Sequence, residues 1–348
     1  FSPGTLQRFG RYNPNTRLTF GYLNTSRPEY KRNAINGLLS YTWSTQNNRQ
    51  SFTVNAADIS YIRTPFIQDE FLTILNDLQS NGNNLIWSFL PSLISSFSGQ
   101  TIINFNRYGD FNTRRASLLR LFGESGGTTL NFVNVKSNNE PGIEYANFQW
   151  LKGQIDFRRY YPINEKQTVA YRLNFGMASP YGVSAGILPY EKYFFAGGGT
   201  SIRAWQARRL GPGSSVPITG EGGEYAYTNE QPAEMILESM LEYRRKLIGY
   251  FDMAIFVDAG NSWMIGRDAA RPGADFRYDR FYKEIAVGTG IGLRMDFDFL
   301  VIRLDLATKA VDPAKPEGSR WVLDNIDFRR PFGVRGQTVF NFGIGYPF

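Results

Sequence analysis

The sequence predicts an all-β protein, a transmembrane antiparallel β-barrel, and three observations predict it. Apolar and polar residues alternate over segments of ten residues or more, as strands with one greasy and one wet face require. The links between those segments alternate between short and long, as in outer-membrane barrels. No apolar run reaches the ~18 residues of a membrane-spanning helix, and the nearest approach, "LIWSFLPSLISSF" at 85–97, is broken by Pro91. Composition fits the same picture, because the 348 residues include 28 Phe, 20 Tyr and 35 Gly. Mean hydropathy is nevertheless only −0.34, so the apolar residues are diluted throughout by polar ones.

Individual segments carry the alternation in detail. At 249–258, Phe251, Met253, Ile255 and Val257 oppose Asp252, Ala254, Phe256 and Asp258. At 284–297, Ile285, Val287, Thr289, Ile291, Leu293, Met295 and Phe297 oppose Glu284, Gly288, Gly290, Gly292, Arg294 and Asp296. The segment at 168–176 sets Val169, Tyr171, Leu173 and Phe175 against Arg172, Asn174 and Gly176, and at 300–306 Leu300, Ile302, Leu304 and Leu306 oppose Arg303 and Asp305. A soluble sandwich also alternates. Strand length, an aromatic-rich outward face and both signs of charge on the other face favour lipid outside and a polar lumen inside. Charges on the lipid side would cost about 2–4 kcal/mol each at the midplane.

About twelve strands are recognisable: 15–25, 32–45, 50–64, 98–109, 114–122, 145–160, 167–178, 233–245, 249–259, 284–297, 299–308 and 337–347. Short links ("QNNR" 46–49, "INEK" 163–166, "RKLI" 245–248, Asp298) alternate with long ones (65–97, 179–232, 260–283, 309–336). Long links are expected outside the cell, and short turns and the C-terminus on the periplasmic side. Within the first long link, Phe71, Leu72, Ile74, Leu75 and Leu78 stand at helical spacing and predict a short helix at 67–79.

The absence of cysteine and histidine removes disulfides, thiolate and imidazole nucleophiles, and the corresponding metal ligands. No enzymatic activity, cofactor or metal is expected. Glu238 and Glu242 lie four residues apart on one strand face and read as lumen ion-pair members rather than an acid and base. The net charge of +7 comes from 38 basic residues scattered along the chain, which gives no nucleic-acid stripe. The opening "FSPGTLQRFG" has no apolar core of a signal peptide, so Phe1 is expected to follow a removed or omitted segment.

Two stretches stand apart. "FFAGGGTSIRAWQARRLGPG" at 194–213 places a glycine triplet, three arginines and Gly-Pro-Gly between strands. "TVFNFGIGYPF" at 338–348 aligns Phe340, Phe342, Ile344, Tyr346 and Phe348 on one face by strand parity, with Gly343 and Gly345 between them.

The first stretch resembles the long sixth extracellular loop of the BamA/TamA superfamily of outer-membrane insertases and translocases. "FVDAGNSW" at 256–263 and "GTGIGLRMDFDFLVIRLDLA" at 288–307 resemble later motifs of that superfamily, in the right order. "TRLTFGYLNTSRPEY" (16–30), "LPSLISSFSGQ" (90–100), "FRRYYPI" (157–163) and "RRLGPGS" (208–214) are most similar to the TamA-like barrel of Bacteroidota, TamL. The terminal stretch resembles the β-signal recognised during barrel insertion.

The resemblance implies a barrel of about sixteen strands. Residues 1–348 would be its C-terminal part, with POTRA domains and the first strands not included, and 179–232 would be a plug loop within the lumen. It implies that Gly197, Gly198, Gly199, Ile202, Arg203, Ala204 and Trp205 form the plug motif. Arg203 would contact an inward cluster of Asp258, Glu238, Glu242 and Phe256, with Asp258 foremost among the carboxylates. The superfamily usually has Arg-Gly-aromatic where this chain has Arg203-Ala204-Trp205, so a methyl group stands where glycine-only backbone angles would be allowed.

A weak seam between first and last strands would involve Phe340, Phe342, Gly343, Ile344, Gly345, Tyr346 and Phe348. The implied function is non-covalent insertion or translocation of envelope proteins or lipids in a Gram-negative outer membrane. The implied partners are outer-membrane lipids or lipopolysaccharide, client outer-membrane or secreted proteins, and a TamB-like periplasmic protein, with no nucleic acid. A two-partner secretion pore and a passive porin-like channel are the alternatives.

Overall fold

The computed structural model describes residues 12–45, 49–80, 86, 89, 91–105, 115–127, 148–182, 186–217, 230–297, 299–325 and 337–348. Its strands are β1 (Tyr12–Ser26), β2 (Tyr30–Ser44), β3 (Gln50–Ile67), β4 (Ser92–Asn104), β5 (Ala116–Gly126), β6 (Trp150–Asn164), β7 (Gln167–Pro180), β8 (Met235–Lys246), β9 (Phe251–Trp263), β10 (Ala286–Asp296), β11 (Val301–Val311) and β12 (Thr338–Ile344), and its helix is α1 (Asp69–Ser80). All twelve lie in one sheet in chain order, with β1 and β12 as its edges. No helix among the described residues is long and apolar enough to cross a membrane, so any crossing is made by strands.

Twelve strands and the helix stand where the alternation places them, with shifted ends. β4 starts at Ser92, directly after Pro91, rather than at 98. β10 starts at Ala286, and Glu284 belongs to a 3-10 turn, Phe281–Glu284. The expected strand ends at 106–109, 114 and 145–147, link residues 46–48, Asp298, and the loop stretches 218–229 and 326–336 lie outside the described residues.

The chain divides into two compact units. The first comprises Phe1–Asn104, Arg120–Gln154 and Ala178–Tyr193. Its antiparallel ladders run β1 to β2 to β3 to β4, from Thr25↔Arg32 in the first pair to Gln50↔Ile103 in the last. α1 begins with Asp69 and Glu70, which suit the positive end of a helix, and it buries Leu75 completely. Phe71 joins Tyr30, Phe89 and Tyr190 in an aromatic cluster with centroids 5.0–6.3 Å apart. Arg32 lies over the Phe89 and Tyr190 rings and pairs with Glu191 at 2.9 Å. The side chain of Leu78 is outside the described residues.

The second unit comprises Phe105–Leu119, Ile155–Met177 and Phe194–Phe348. Its ladders run from β7 through β12, so the links at 165–166, 247–250 and 297–300 fall at one end and the long links at the other. Burial is inverted relative to a soluble protein. Leu241, Ile255, Val257, Ile291, Phe340, Phe342 and Ile344 are exposed, while Glu242, Arg244, Asp258, Arg294 and Asp305 are buried. Alternation therefore sends the apolar face outward and the charged face to the covered side, as a lipid-embedded sheet demands.

One expectation fails at the C-terminal stretch. Phe340, Phe342 and Ile344 share the outward face, but β12 ends at Ile344. Gly345 then adopts φ +82°, a left-handed conformation that breaks strand parity, and Pro347 has no N–H with which to resume a ladder. Phe348 consequently turns to the covered side, buried with Ala116, Tyr160, Ala170 and Met240, and its carbonyl accepts from the Tyr160 hydroxyl. Tyr346 turns as well, donating to Asp296 at 3.2 Å and lying against Arg244.

Candidate functional site

The segment at 194–217 is tied both to itself and to the covered face of β8–β12. An antiparallel bridge joins Phe194 to Ala233, and a second joins Ala196 to Leu210. Between the arms, Gly198 N–H donates to the Trp205 carbonyl at 2.9 Å and Gly197 N–H to Ser201 Oγ at 2.9 Å. Gly197 and Gly198 adopt φ +98° and +103°, a region closed to ordinary side chains. Gly199 does not share that conformation; a Cβ there would lie 3.1 Å from Arg303 Nη2. The result is a narrow arm whose last turn, at 202–205, presents Arg203.

Arg203 is fully buried and surrounded by carboxylates from three strands. Its Nε and Nη2 reach Asp258 of β9 at 2.8 and 2.9 Å in a two-point fork, and its backbone N–H adds a third bond to the same carboxylate at 3.1 Å. Nη1 donates to Glu242 of β8 at 2.7 Å and lies 3.5 Å from Asp305 of β11. Its guanidinium also stacks on Phe256, 3.4 Å from the ring centroid. Arg294 of β10 bridges Asp305 at 2.5 Å and Glu242 at 3.3 Å, and Arg244 reaches Glu242 at 2.8 Å. Arg303 lies 3.3 Å from Asp305. Four guanidinium groups thus share three carboxylates, and Arg244 is further accommodated by the rings of Tyr346 and Tyr160 at 4.3 and 5.4 Å.

The strands make room for this arm with small residues. Ladder register sets Phe256 beside Gly290, Asp258 beside Gly288, and Gly292 beside Asp305. A Cβ at Gly288 would lie only 2.6 Å from the Ala204 methyl, so the methyl sits where β10 has no side chain. Ala204 needs no glycine-only geometry, since Asn13 and Arg208 are the non-glycine residues with positive φ among the described residues. Ile202, Ala204 and Trp205 are all buried, and Lys309 lies 5.1 Å from the Trp205 ring.

Glu238 does not join Arg203. It accepts from Asn174 at 2.8 Å and from Ser201 Oγ, so it holds the stem of the arm rather than its tip. At the last strand, Asn341 donates to the Arg203 carbonyl at 2.9 Å. The returning limb docks on the end of β9. Gly213 N–H donates to the Ser262 carbonyl at 2.7 Å, and Asn261 donates to the Gly213 carbonyl at 2.8 Å. Glu284 accepts from Trp263 and Ser214 at 2.8 and 2.9 Å. Just ahead of β8, Glu234 accepts from Ile265 N–H at 2.8 Å, and burial pushes its carboxyl above the usual carboxylate range.

Strand parity had already turned Arg294, Arg303 and Asp305 inward, but without the ladder register nothing joined them to Arg203. Asn341, Ser201 and Glu284 carried no sequence signal for the contacts they make.

Comparison with known proteins gives this geometry a context. The Omp85 superfamily domain matches residues 126–348, well over half of the chain. The chain belongs to the Omp85 superfamily. That superfamily comprises outer-membrane barrels that insert or translocate proteins, which places this member in the Gram-negative outer membrane.

Among solved structures, BamA from Haemophilus ducreyi lacking POTRA domains 1–3 is similar at 14% identity and TM-score 0.58, over 95% of this chain and 59% of that one. CdiB from Acinetobacter baumannii is similar at 11% identity and TM-score 0.39, over 94% and 53% of the respective chains. CdiB from Escherichia coli is similar at 9% identity and TM-score 0.43, over 86% and 46%. At 14% identity the likeness to BamA is one of fold, and the chain spans about half the length of these proteins.

Proposed function

We propose that this Omp85 member is the barrel of an envelope assembly factor of the TamA-like, TamL kind found in Bacteroidota. It helps to insert or translocate outer-membrane or secreted proteins, or lipids, without covalent chemistry. The observation that carries the reading is the buried Arg203 cluster, in which one loop residue engages Asp258, Glu242 and Asp305 from three strands. On this reading the loop at 179–232 is a lumen plug, and the lock on its described arm at 194–217 supports that role. A factor that guides a client needs an occluded resting pore together with a strand edge that can pair with the client. β12 supplies a short edge strand that ends at Ile344, and the same arm reaches it through Asn341.

Client proteins, outer-membrane lipid or lipopolysaccharide, and a TamB-like periplasmic protein are the partners of this reading. The experiment is conductance and heat-modifiable folding of Arg203→Ala, Asp258→Ala and the double variant. Raised conductance in each single variant, with no further rise in the double, is expected for a plug seated by that pair. Wild-type conductance in all three, with normal folding, would reject the plug. Large conductance with undiminished client assembly would point to a secretion pore or passive channel instead.

A further inference from the structure

The end of the second unit that carries the short turns exposes apolar and cationic side chains together. Along the outward face of β8, Leu241 and Tyr243 lead to Arg245, which stands in register between Gln167 of β7 and Met253 of β9. Beyond Arg245 the chain exposes Leu247, Ile248 and Tyr250, with Ile248 at 86% exposure. Phe299, in the neighbouring turn, is 89% exposed, and the Tyr250 and Phe297 rings lie 5.5 Å apart. An open hollow of about 690 Å³ lies here, its walls including Glu165, Lys166, Gln167, Arg245, Lys246 and Leu247. The turns are held together where Lys246 N–H donates to the Lys166 carbonyl at 2.8 Å.

The charges on this hollow are unbalanced. Lys246 has Asp252 opposite it in the ladder, but Lys166 and Arg245 make no ion pair among the described residues. Glu165 is the carboxylate on the wall. Exposed aliphatic and aromatic tips beside unpaired cations are costly in water, and they suit the boundary between hydrocarbon and headgroups. Aromatic girdles mark that level in barrels. Arg245 follows Tyr243 along the lipid-facing row, so its guanidinium sits just past the aromatic level, where phosphates lie.

We infer that this hollow binds the phosphodiester headgroup of an anionic phospholipid. The Arg245 fork and the Lys166 ammonium take the phosphate, and the acyl chains run along Leu241, Tyr243 and Met253. A guanidinium matches two phosphate oxygens at once, and the ammonium adds a point charge. Lipid is the fitting occupant because the apolar part of the site continues the lipid-facing row of β8 without a break. The inference requires only that the barrel spans a membrane, and stands apart from the insertion or translocation reading.

The test is native mass spectrometry of the full-length protein released from nanodiscs of phosphatidylethanolamine alone or with a minority of phosphatidylglycerol. The wild type should retain phosphatidylglycerol, and Lys166→Gln/Arg245→Gln should lower that retention about thirtyfold, since each of the two basic residues near a membrane surface contributes on the order of 1 kcal/mol. Lys283→Gln, in the long link between β9 and β10, should leave it unchanged. If the double variant fails the heat-modifiability test, Arg245→Lys keeps the charge but loses the fork, and should still show a reduction. Equal retention in the variants, or no preference in the wild type, would overturn the assignment. Displacement of the lipid by inorganic phosphate alone would reassign the hollow to a free anion. Unchanged lipid retention with loss of an acidic protein's binding would make it a protein dock.

Discussion

β1 and β9 read almost alike in sequence, as long strands of alternating residues, yet they end in opposite environments. β1 is exposed along nearly its whole length on both faces, whereas β9 buries Asp252, Ala254, Phe256, Asp258 and Gly260 through Trp263. Alternation decides that a segment is a strand and which residues share a face. What covers that face decides whether a charge is a solvated ornament or a structural lock. On β9 the cover is the arm at 194–217, which draws the buried Asp258 into a network through Arg203.

The largest expected difference follows from that contrast. Arg203→Ala removes a cation shared by three buried carboxylates and should cost about 3–5 kcal/mol, since the orphaned charges stay buried. Arg17→Ala, on the exposed β1, should stay within about 0.5 kcal/mol. Urea unfolding in lipid, followed by gel mobility, measures both. Equal effects would mean that burial on β9 carries no special energetic weight.

Among the described residues of the first unit, Arg32 is a partial counterpart of the Arg203 lock. Arg32 is buried against Phe89 and Tyr190 and pairs with Glu191, but that carboxylate is 39% exposed. Water can solvate Glu191 once the arginine is gone, so Arg32→Ala should cost about 1.5–3 kcal/mol, less than Arg203→Ala in the same assay. A loss equal to that of Arg203→Ala would show that partner exposure does not set the scale.

Glycines sharpen the comparison at the level of packing. A Cβ at Gly288 would press on the Ala204 methyl at 2.6 Å, whereas one at Gly37 of β2 would meet the Phe20 ring at an ordinary 3.6 Å. Gly288→Ala should therefore cost on the order of 1–2 kcal/mol, and Ala204→Gly in the same chain should restore most of it. Gly37→Ala should be near neutral. Additive costs in the Gly288/Ala204 pair, read from the same unfolding curves, would mean that the arm does not rest on β10.

Much of this was legible in the sequence because strand period is local information. The twelve strands, the helix, and the inward parity of Glu242, Arg244, Asp258, Arg294 and Asp305 all follow from residue alternation. Partner choice is not local. Glu238 and Glu242 share a strand face, and ladder register combined with the length of the arm sends one to Ser201 and the other to Arg203. The turn of Tyr346 and Phe348 to the covered side was hidden for a similar reason. Parity counting assumes an unbroken strand, and a single left-handed residue at Gly345 reverses it.

The smallest expected effect concerns the two edges of the sheet. On β12, Asn341 donates to the Arg203 carbonyl at 2.9 Å, so the edge strand holds the arm by one neutral bond. On β1, Asn24 donates to Asn33 of β2 at 3.0 Å in an exposed pair that holds nothing beyond its own ladder. Asn341→Ala leaves a carbonyl short of one donor and should cost about 0.5–1.5 kcal/mol, and Asn24→Ala should cost less because water replaces its bond. The informative readout is local. Hydrogen exchange at the amides of Gly198 and Trp205, which close the tip of the arm, should quicken in Asn341→Ala while exchange along β9 stays slow. Faster exchange along both would mean that the arm and the sheet open as one unit. In that case the Arg203 lock could not release the arm while the sheet persisted, and a plug that moves independently of its barrel would be ruled out.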